Sequence, residues 1–458
     1  MTLVIDSVLK IGVLSRRAPI GQSTDFGTTI EHVGGLTRVL PALAEFAKIA
    51  WTTLATQSQI GLPNKYSFAK LSHNTYQHDI SIYLTEVDAL ELNQSDWFCT
   101  HYIWPLLHDL PIPELDAVEL TRHLESIRSI CRAVANNCAD FSNDGYLVND
   151  FQLSQVPSVL REFEPQKPIT FFLHTPWPKT RPNNNLAIAI LKFLATGMLG
   201  ADVIEFQTQK DLQAFERFVT EYLPAQPIDI ELKVNPVSVN VQDLRHQSTT
   251  AGQIDFHDDD VSYVHIARSD PIKNTLATMR AFTEIARLNE SRARKFLDLL
   301  IVPSRQQWPQ YQDLLAEIAD CVEVCNAQLG SLGYTPIRLH VGNDYDLAIQ
   351  ALTRYDYLIV CSVADGLNLV VKEGAILNTR NGVIISTANV GAMAELGNFC
   401  VLTDADDVSI VRALDVAEKL DSNKREEMSV QLKEQIKEFD ASHWAQSVMA
   451  SLKVLQRV

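Results

Sequence analysis

Apolar positions along this chain keep two rhythms. Short unbroken runs read as strands: KIGVLS (10–15), YLVND (146–150), ITFFLH (169–174), VIEFQ (203–207), YVHIA (263–267), LDLLIV (297–302), YLIVCS (357–362) and NGVIIST (381–387). Between them lie longer stretches with apolar residues every three or four positions, the period of a helix with one buried face. These are LTRVLPALAEFAKI (36–49), LTRHLESIRSICRAVANNC (120–138), DLQAFERFVTEYL (211–223), TLATMRAFTEIARLN (275–289), DLLAEIADCVEVCNAQL (313–329) and DLAIQALTRY (346–355). A strand apolar on both faces must be covered on both faces, and helices between such strands supply the cover. The pattern therefore predicts an α/β fold of parallel, doubly wound sheets.

The rhythm breaks once. VNPVSVNVQDL gives way to HQSTTAGQIDFHDDD, polar and acidic, and strand–helix alternation restarts at Tyr263. A single core stops growing near about 250–300 residues, so a 458-residue chain is expected to hold two domains. We place them at 1–240 and 241–440. Residues 441–458 form an amphipathic C-terminal helix through Trp444, Val448, Leu452 and Leu455, with Asp440 or Ser442 as its cap. That helix could pack on either domain, the N-terminal one included.

Net charge is −17, which argues against nucleic acid or an anionic membrane as partner, since both require a basic face. A local pocket of Arg and Lys for a small anion stays open. The first residues lack the basic-then-apolar pattern of a secretory signal, and no apolar run is long enough to span a bilayer. Seven cysteines without paired spacing suit reduced thiols, so a cytoplasmic location is expected. Cys321 and Cys325, four apart on a helix, read as core residues rather than a metal site.

In open parallel sheets, ligands bind beyond the carboxyl ends of the strands. Polar residues collect there. Arg16 and Arg17 follow the first strand. Gly34 and Gly35 precede a helix, where a backbone can approach an anion closely. Asn149 and Asp150 end one strand and His174 another, before a Pro-Trp-Pro. His174 is as readily a core histidine as a ligand on these grounds. Arg268 and Lys273 flank a turn, a geometry suited to a diphosphate, and Arg305 follows the next strand. SVADGLNLVVKE adds Asp365 and Glu373, carboxylates able to accept hydrogen bonds from sugar hydroxyls. No GxGxxG follows a strand, no P-loop is present and no metal motif occurs. Cations for phosphate and acids for hydroxyls together imply a nucleotide sugar.

Several stretches resemble the trehalose-6-phosphate synthase family of retaining glycosyltransferases. SRRAP is similar to that family's Ser-Asn-Arg, GGLTRVL to its Gly-Gly-Leu loop, YIWPLLHDL to Leu-Trp-Pro-x-x-His and NDFQL to His-Asp-Tyr-His-Leu. HTPWP resembles His-Ile-Pro-Phe-Pro, and ADVIEFQT resembles an Asp-hydrophobic-Ile-Gly-Phe-Gln-Thr strand. RSDPIKN matches Arg-x-Asp-x-x-Lys, and DGLNLVVKE matches Asp-Gly-Met-Asn-Leu-Val-x-Lys-Glu. Their order and spacing are shared over most of the chain. RSDPIKN, HTPWP and SVADGLN also resemble validoxylamine A 7′-phosphate synthase, a pseudo-glycosyltransferase relative.

The resemblance implies a GT-B fold, two Rossmann-like domains facing a cleft, the N-terminal one binding acceptor and the C-terminal one donor. It implies that Arg268 and Lys273 hold the nucleotide diphosphate, Gly35 its phosphate, and Glu373 the ribose. Asp365 and the amides of Leu367, Asn368 and Leu369 would hold the donor sugar or diphosphate, with His174 beside the donor sugar. Arg17 and Arg305 would grip an acceptor phosphate, and Trp104 and Asp150 would line the acceptor pocket. No metal or further cofactor is implied; the donor is a nucleotide-diphosphate sugar or cyclitol. Both partners are small molecules, and a homo-oligomer is compatible with the sequence. The departures fall on the acceptor side. Phe151 replaces a tyrosine, Ser95 replaces an acceptor-binding tyrosine, and the loop from Arg17 to Gly35 is longer than usual. The activity expected is retaining transfer of a hexosyl group to a phosphorylated acceptor. The alternatives are cyclitol transfer to an aminocyclitol phosphate, or a non-catalytic relative that senses a sugar phosphate.

Overall fold

The computed structural model describes residues 9–19, 23–24, 27–28, 35–55, 65–67, 80–225, 230–250, 260–288 and 293–454. Leu455, Gly34, most of the Arg17–Gly35 loop and the acidic end of the polar stretch lie outside them. The chain divides into two compact units, Met1–Val237 with Ala441–Val458, and Ser238–Asp440.

The first unit is built on β1 (Lys10–Ser15), β4 (Lys48–Leu54), β5 (Lys65–Ser67), β6 (Ile80–Thr85), β7 (Gly145–Asn149), β8 (Ile169–Leu173), β9 (Val203–Phe206) and β10 (Glu231–Val234), with β2 (Ser23–Thr24) and β3 (Gly27–Thr28) pairing apart as a small ribbon. Among the described residues the sheet order is β10-β9-β8-β7-β1-β4-β6-β5. Every pair is parallel except β5 with β6. Helices Ala117–Ala139, Val156–Phe163, Asn185–Met198 and Gln209–Tyr222 cover it, and their apolar faces join Leu14, Val148, Phe171 and Phe206 in one core. Helix Ala441–Val454 packs on β8 and on the 3-10 turn at Leu40–Glu45, burying Trp444, Val448 and Leu452.

The second unit holds β11 (Val261–Arg268), β12 (Lys295–Val302), β13 (Ile337–Val341), β14 (Tyr357–Val360), β15 (Val383–Thr387) and β16 (Val401–Thr403). Their order is β13-β12-β11-β14-β15-β16, all parallel. Both sheets are α/β and doubly wound, as the continuous apolar strands predict.

Each sheet reverses its order once. In the first unit the chain winds outward from β1 through β4 and β6, then returns to start β7 on β1's other side. In the second it winds from β11 through β12 and β13, then returns to place β14 beside β11. At such switch points the loops diverge and leave a crevice at the carboxyl ends.

The predicted helix over 36–49 needs correction. Only Leu36–Val39 is α-helical, Leu40–Glu45 is 3-10, and Lys48–Ile49 already belong to β4. Pro41 withholds a backbone donor and cannot continue the helix. A four-residue helix gives Gly35 little macrodipole to share with an anion.

Candidate active site

In the first unit, Ser15 ends β1 with its hydroxyl tied into the turn. It accepts from Trp51 Nε1 at 2.7 Å and donates to the Arg17 carbonyl at 2.6 Å. Arg16 turns back to Asp96 on helix Ala89–Phe98, donating from Nε at 3.2 Å and Nη2 at 2.7 Å. Arg17 is exposed.

At the end of neighbouring β7, Asp150 has φ 70° and ψ 166°, a region that only glycine occupies without strain. Three bonds hold it there. Its N–H donates to the Phe172 carbonyl at 2.8 Å, and its Oδ1 accepts from the Thr175 N–H at 3.2 Å and Thr175 Oγ1 at 2.9 Å. Burial raises the Asp150 carboxyl above its ordinary range, although the Thr175 bonds oppose the rise. Trp104 follows a π-helical turn, Cys99–Ile103, and its ring lies 6.3 Å from that of Phe151. Trp104 and the Asp150 turn are thereby brought together.

His174 stands at the end of β8, stacked on Phe172 at 4.3 Å. A directed chain of hydrogen bonds fixes it. The Val237 N–H donates to Gln207 Oε1 at 2.9 Å, leaving the Gln207 amide nitrogen 3.3 Å from His174 Nδ1. His174 Nε2 meets Asn149 Oδ1 at 3.0 Å, and Asn149 Nδ2 donates to the Leu14 carbonyl at 3.0 Å. Read in donor order, the chain assigns the proton to Nε2. Burial pushes the imidazole down to about 3, so the ring is neutral at physiological pH.

In the second unit, Asp270 opens a 3-10 turn, Pro271–Lys273, by accepting from the Ile272 N–H at 3.3 Å. Its Oδ2 lies 2.5 Å from Arg305 Nη1 and 3.7 Å from Arg268 Nη2. Burial works to raise this carboxyl, but Arg268 and Arg305 outweigh it and hold it below the usual range. Arg268 is itself shifted down by burial, against the pull of Asp270. Arg305 also lies over the Tyr311 ring at 5.3 Å.

Lys273 reaches Asp365 Oδ2 at 2.5 Å, and Asn368 Nδ2 and Ser362 Oγ donate to the same oxygen at 2.9 and 3.3 Å. The β11 and β14 loops are clipped together by the Val363 N–H on the Ile272 carbonyl at 2.8 Å. Asn274, Arg305 and Asn368 all have φ between 52° and 70°, so backbone strain gathers at this end of the sheet. Helix Leu369–Leu377 starts here with Asn368 as its N-cap and no side-chain capping bond, which leaves its first amides turned toward the crevice end of β14. Glu373 is half-buried on that helix. Lys372 is buried and ion-paired with Glu395 at 2.8 Å, a structural contact.

The second unit thus gathers Arg268, Lys273, Arg305, Asp365, Leu367, Asn368, Leu369 and Glu373 around its switch point, while Arg17, Gly35, Trp104, Asp150 and His174 belong to the first. Sequence reading missed Asp270 as the anion joining two arginines, and Asn149 and Gln207 as partners of His174. Their signal was position alone: each lies within two residues of a strand's carboxyl end.

Two Rossmann-like sheets, one with cations and helix amides gathered at its switch point, define a GT-B glycosyltransferase. The chain belongs to Glycosyltransferase family 20, whose sequence model matches residues 10–454. It is 29% identical over 340 residues to the validamine 7-phosphate valienyltransferase of Streptomyces hygroscopicus subsp. jinggangensis, covering 71% of this chain and 68% of that one. It is 25% identical over 483 residues to the trehalose-6-phosphate synthase of Mycobacterium avium, covering 96% and 94%. An E. coli trehalose-6-phosphate protein solved with UDP-2-fluoro glucose superposes with a TM-score of 0.81 at 18% identity, over 97% of this chain and 99% of that one. A Burkholderia xenovorans trehalose-phosphate synthase solved with glucose-6-phosphate gives 0.79 at 18% identity, covering 97% and 100%. This protein is therefore an enzyme, a glycosyltransferase of the trehalose-6-phosphate synthase type. Among its described residues no helix is long and apolar enough to cross a membrane.

Proposed function

We propose that the enzyme transfers a hexosyl group, with retention, from a nucleotide-diphosphate sugar to a phosphorylated sugar-like acceptor. One observation carries the reading: Arg268, Lys273 and Arg305 converge with the start of helix Leu369–Leu377 at a single switch point. Breaking the sugar–oxygen bond sends its electron pair to the diphosphate, adding a third negative charge to the two it already carries until the acceptor's proton arrives. Fixed cations and amides stabilise that charge as it develops, without reorganising. Arg268 and Lys273 take the diphosphate, and the family resemblance assigns Gly35 to the donor phosphate. The family resemblance assigns Asp365 and the Leu367–Leu369 amides to the donor sugar or diphosphate, His174 to the donor sugar and Glu373 to the ribose hydroxyls. Arg17 and Arg305 grip the acceptor phosphate, and Trp104 and Asp150 line the acceptor pocket. The leaving phosphate oxygen accepts the acceptor's proton on the same face of the sugar, so no carboxylate nucleophile is required. No cofactor beyond the donor takes part, and both partners are small molecules acting in the cytoplasm.

The test is calorimetric titration of UDP and of GDP into Arg268→Ala/Lys273→Ala. Wild-type nucleotide affinity in the double variant would sink the assignment. A second reading, coupling of an activated cyclitol to an aminocyclitol phosphate, is favoured by the likeness to the valienyltransferase and by the tyrosine hydroxyls lost at Ser95 and Phe151. Turnover with glucose 6-phosphate against validamine 7-phosphate separates the two.

A further inference from the structure

Arg16 brings more donors to the end of β1 than its ion pair uses. Its side chain is 15% exposed, and two of its nitrogens are spent on the two oxygens of Asp96. The third, Nη1, is buried and meets no acceptor among the described residues. A guanidinium cannot escape by losing its proton, so a buried, unmatched N–H is a standing cost.

Its place is informative. Leu14 of β1 pairs with Val148 of β7, which sets Arg16 and Asp150 just past the ends of adjoining strands, at the first unit's switch point. Two residues beyond Asp150, Gln152 Oε1 is also buried and meets no donor among the described residues. The two orphans share one neighbourhood. Cys99 feels the charges of both Asp96 and Arg16 and lies near Cys131, whose thiol donates to the Gln152 carbonyl at 3.6 Å. Cys99 also opens the π-helical turn Cys99–Ile103 that leads to Trp104. Such turns interrupt helices mostly where function demands a particular side-chain direction.

We infer that Arg16 Nη1 donates a hydrogen bond to an oxygen of the acceptor, and that the Arg16–Asp96 pair is a specificity determinant of the acceptor site. Each Asp96 oxygen already accepts from Arg16 and its charge is matched by the guanidinium, so the unmatched group that the pair presents is the Nη1 donor. It selects hydroxyl or phosphate oxygen and disfavours an ammonium group. The inference rests on the functional reading above and narrows its acceptor to a sugar phosphate.

The experiment is steady-state kinetics of the whole chain with glucose 6-phosphate and whichever of UDP-glucose or GDP-glucose the wild type turns over. Calorimetric binding of UDP and GDP and thermal melts accompany it. Arg16→Ala is expected to raise the acceptor KM by about ten- to a hundred-fold, the range for a hydrogen bond to a charged group. Asp96→Asn, which frees Arg16 from its anchor, shifts KM in the same direction, and nucleotide affinity stays within about twofold. A purely structural Arg16–Asp96 clip would lower the melting temperature and leave KM where it was; that outcome overturns the inference. Should Arg16→Ala not fold, Arg16→Lys keeps the charge but not the fork, and an unchanged acceptor KM in that variant overturns it equally. Preference for validamine 7-phosphate over glucose 6-phosphate would refute the oxygen selectivity. Were the wild type to transfer to no phosphorylated acceptor, the functional reading would fail and this inference with it. An active wild type with indifferent Arg16 variants would remove this inference alone.

Discussion

Gly391→Ala tests the donor-side geometry through a residue that carries no chemistry. A Cβ built at 391 would lie 1.8 Å from the Gly366 carbonyl oxygen, 2.7 Å from its carbon and 3.1 Å from Leu367 Cα. Real Cβ contacts stay beyond 3.0 Å, so the Gly366 peptide or the 391 backbone must retreat by about 1.2 Å. The loop has little freedom to absorb this. The Gly391 N–H donates to the Asp365 carbonyl at 3.1 Å, the Ala392 N–H to the Leu367 carbonyl at 3.0 Å, and the Asp365 N–H to the Asn389 carbonyl at 3.1 Å. Displacement therefore carries Asp365 away from Lys273, to which it now sits at 2.5 Å, and turns the Leu367–Leu369 amides off their axis. A misplacement near 1 Å costs on the order of a hundredfold in catalytic efficiency. The overpacking itself costs about 1–3 kcal/mol, which a folded protein of ordinary stability survives. The assay is transfer kinetics alongside UDP and GDP calorimetry, with circular dichroism to confirm folding. A folded Gly391→Ala enzyme within about threefold of wild-type kcat/KM would refute the claim that this loop's position governs the donor site.

Three further outcomes follow from the same structure. Lys372→Ala should destabilise the protein by about 2–5 kcal/mol in urea melts, chiefly by emptying the space its buried side chain fills, while Lys372→Met recovers part of the loss by refilling it. Glu205 is fully buried and its carboxyl is raised by burial, so the folded chain holds that proton more tightly than the unfolded chain and loses stability as pH climbs above the ordinary 4.5; melts at pH 5 and 8 should show Glu205→Gln gaining on wild type at the higher pH. His174 shifts the opposite way for a base, from 6.5 to about 3, so only the unfolded chain takes up its proton between those values; wild type should lose stability against His174→Gln as pH falls from 7 to 5.

Much of this fold is legible because buried parallel strands are mostly continuous apolar runs. ITFFL, VIIST and YLIV announce themselves, and the residues just beyond them are candidates for the site by position alone. Edge strands hide. β13 reads IRLHV, and its Arg338 looks like loop polarity until it meets Asp298 of β12 at 2.6 Å. β4 was concealed differently: LTRVLPALAEFA is apolar at helical spacing up to Phe46, so the strand starting at Lys48 reads as the same helix continuing. In the site, residue types could be read but pairings could not. Asp270 serves its own turn locally, and only adjacency of β11 and β12 shows that Arg305 shares it with Arg268. The bonds from Asn149 and Gln207 to His174 require β7, β8 and β9 to lie side by side.

No cation of this trio at the second switch point stands bare: Lys273 pairs with Asp365, and Arg268 and Arg305 share Asp270. Binding a diphosphate there is accordingly an exchange of anions rather than the filling of a bare positive pit. A lone phosphate or a stray polyanion gains little from displacing a carboxylate that is already in place. On the proposed reading the donor engages Arg268, Lys273 and the helix amides together while the acceptor phosphate takes Arg305, so discrimination lies in reach and shape, and product is surrendered as the carboxylates reclaim their partners.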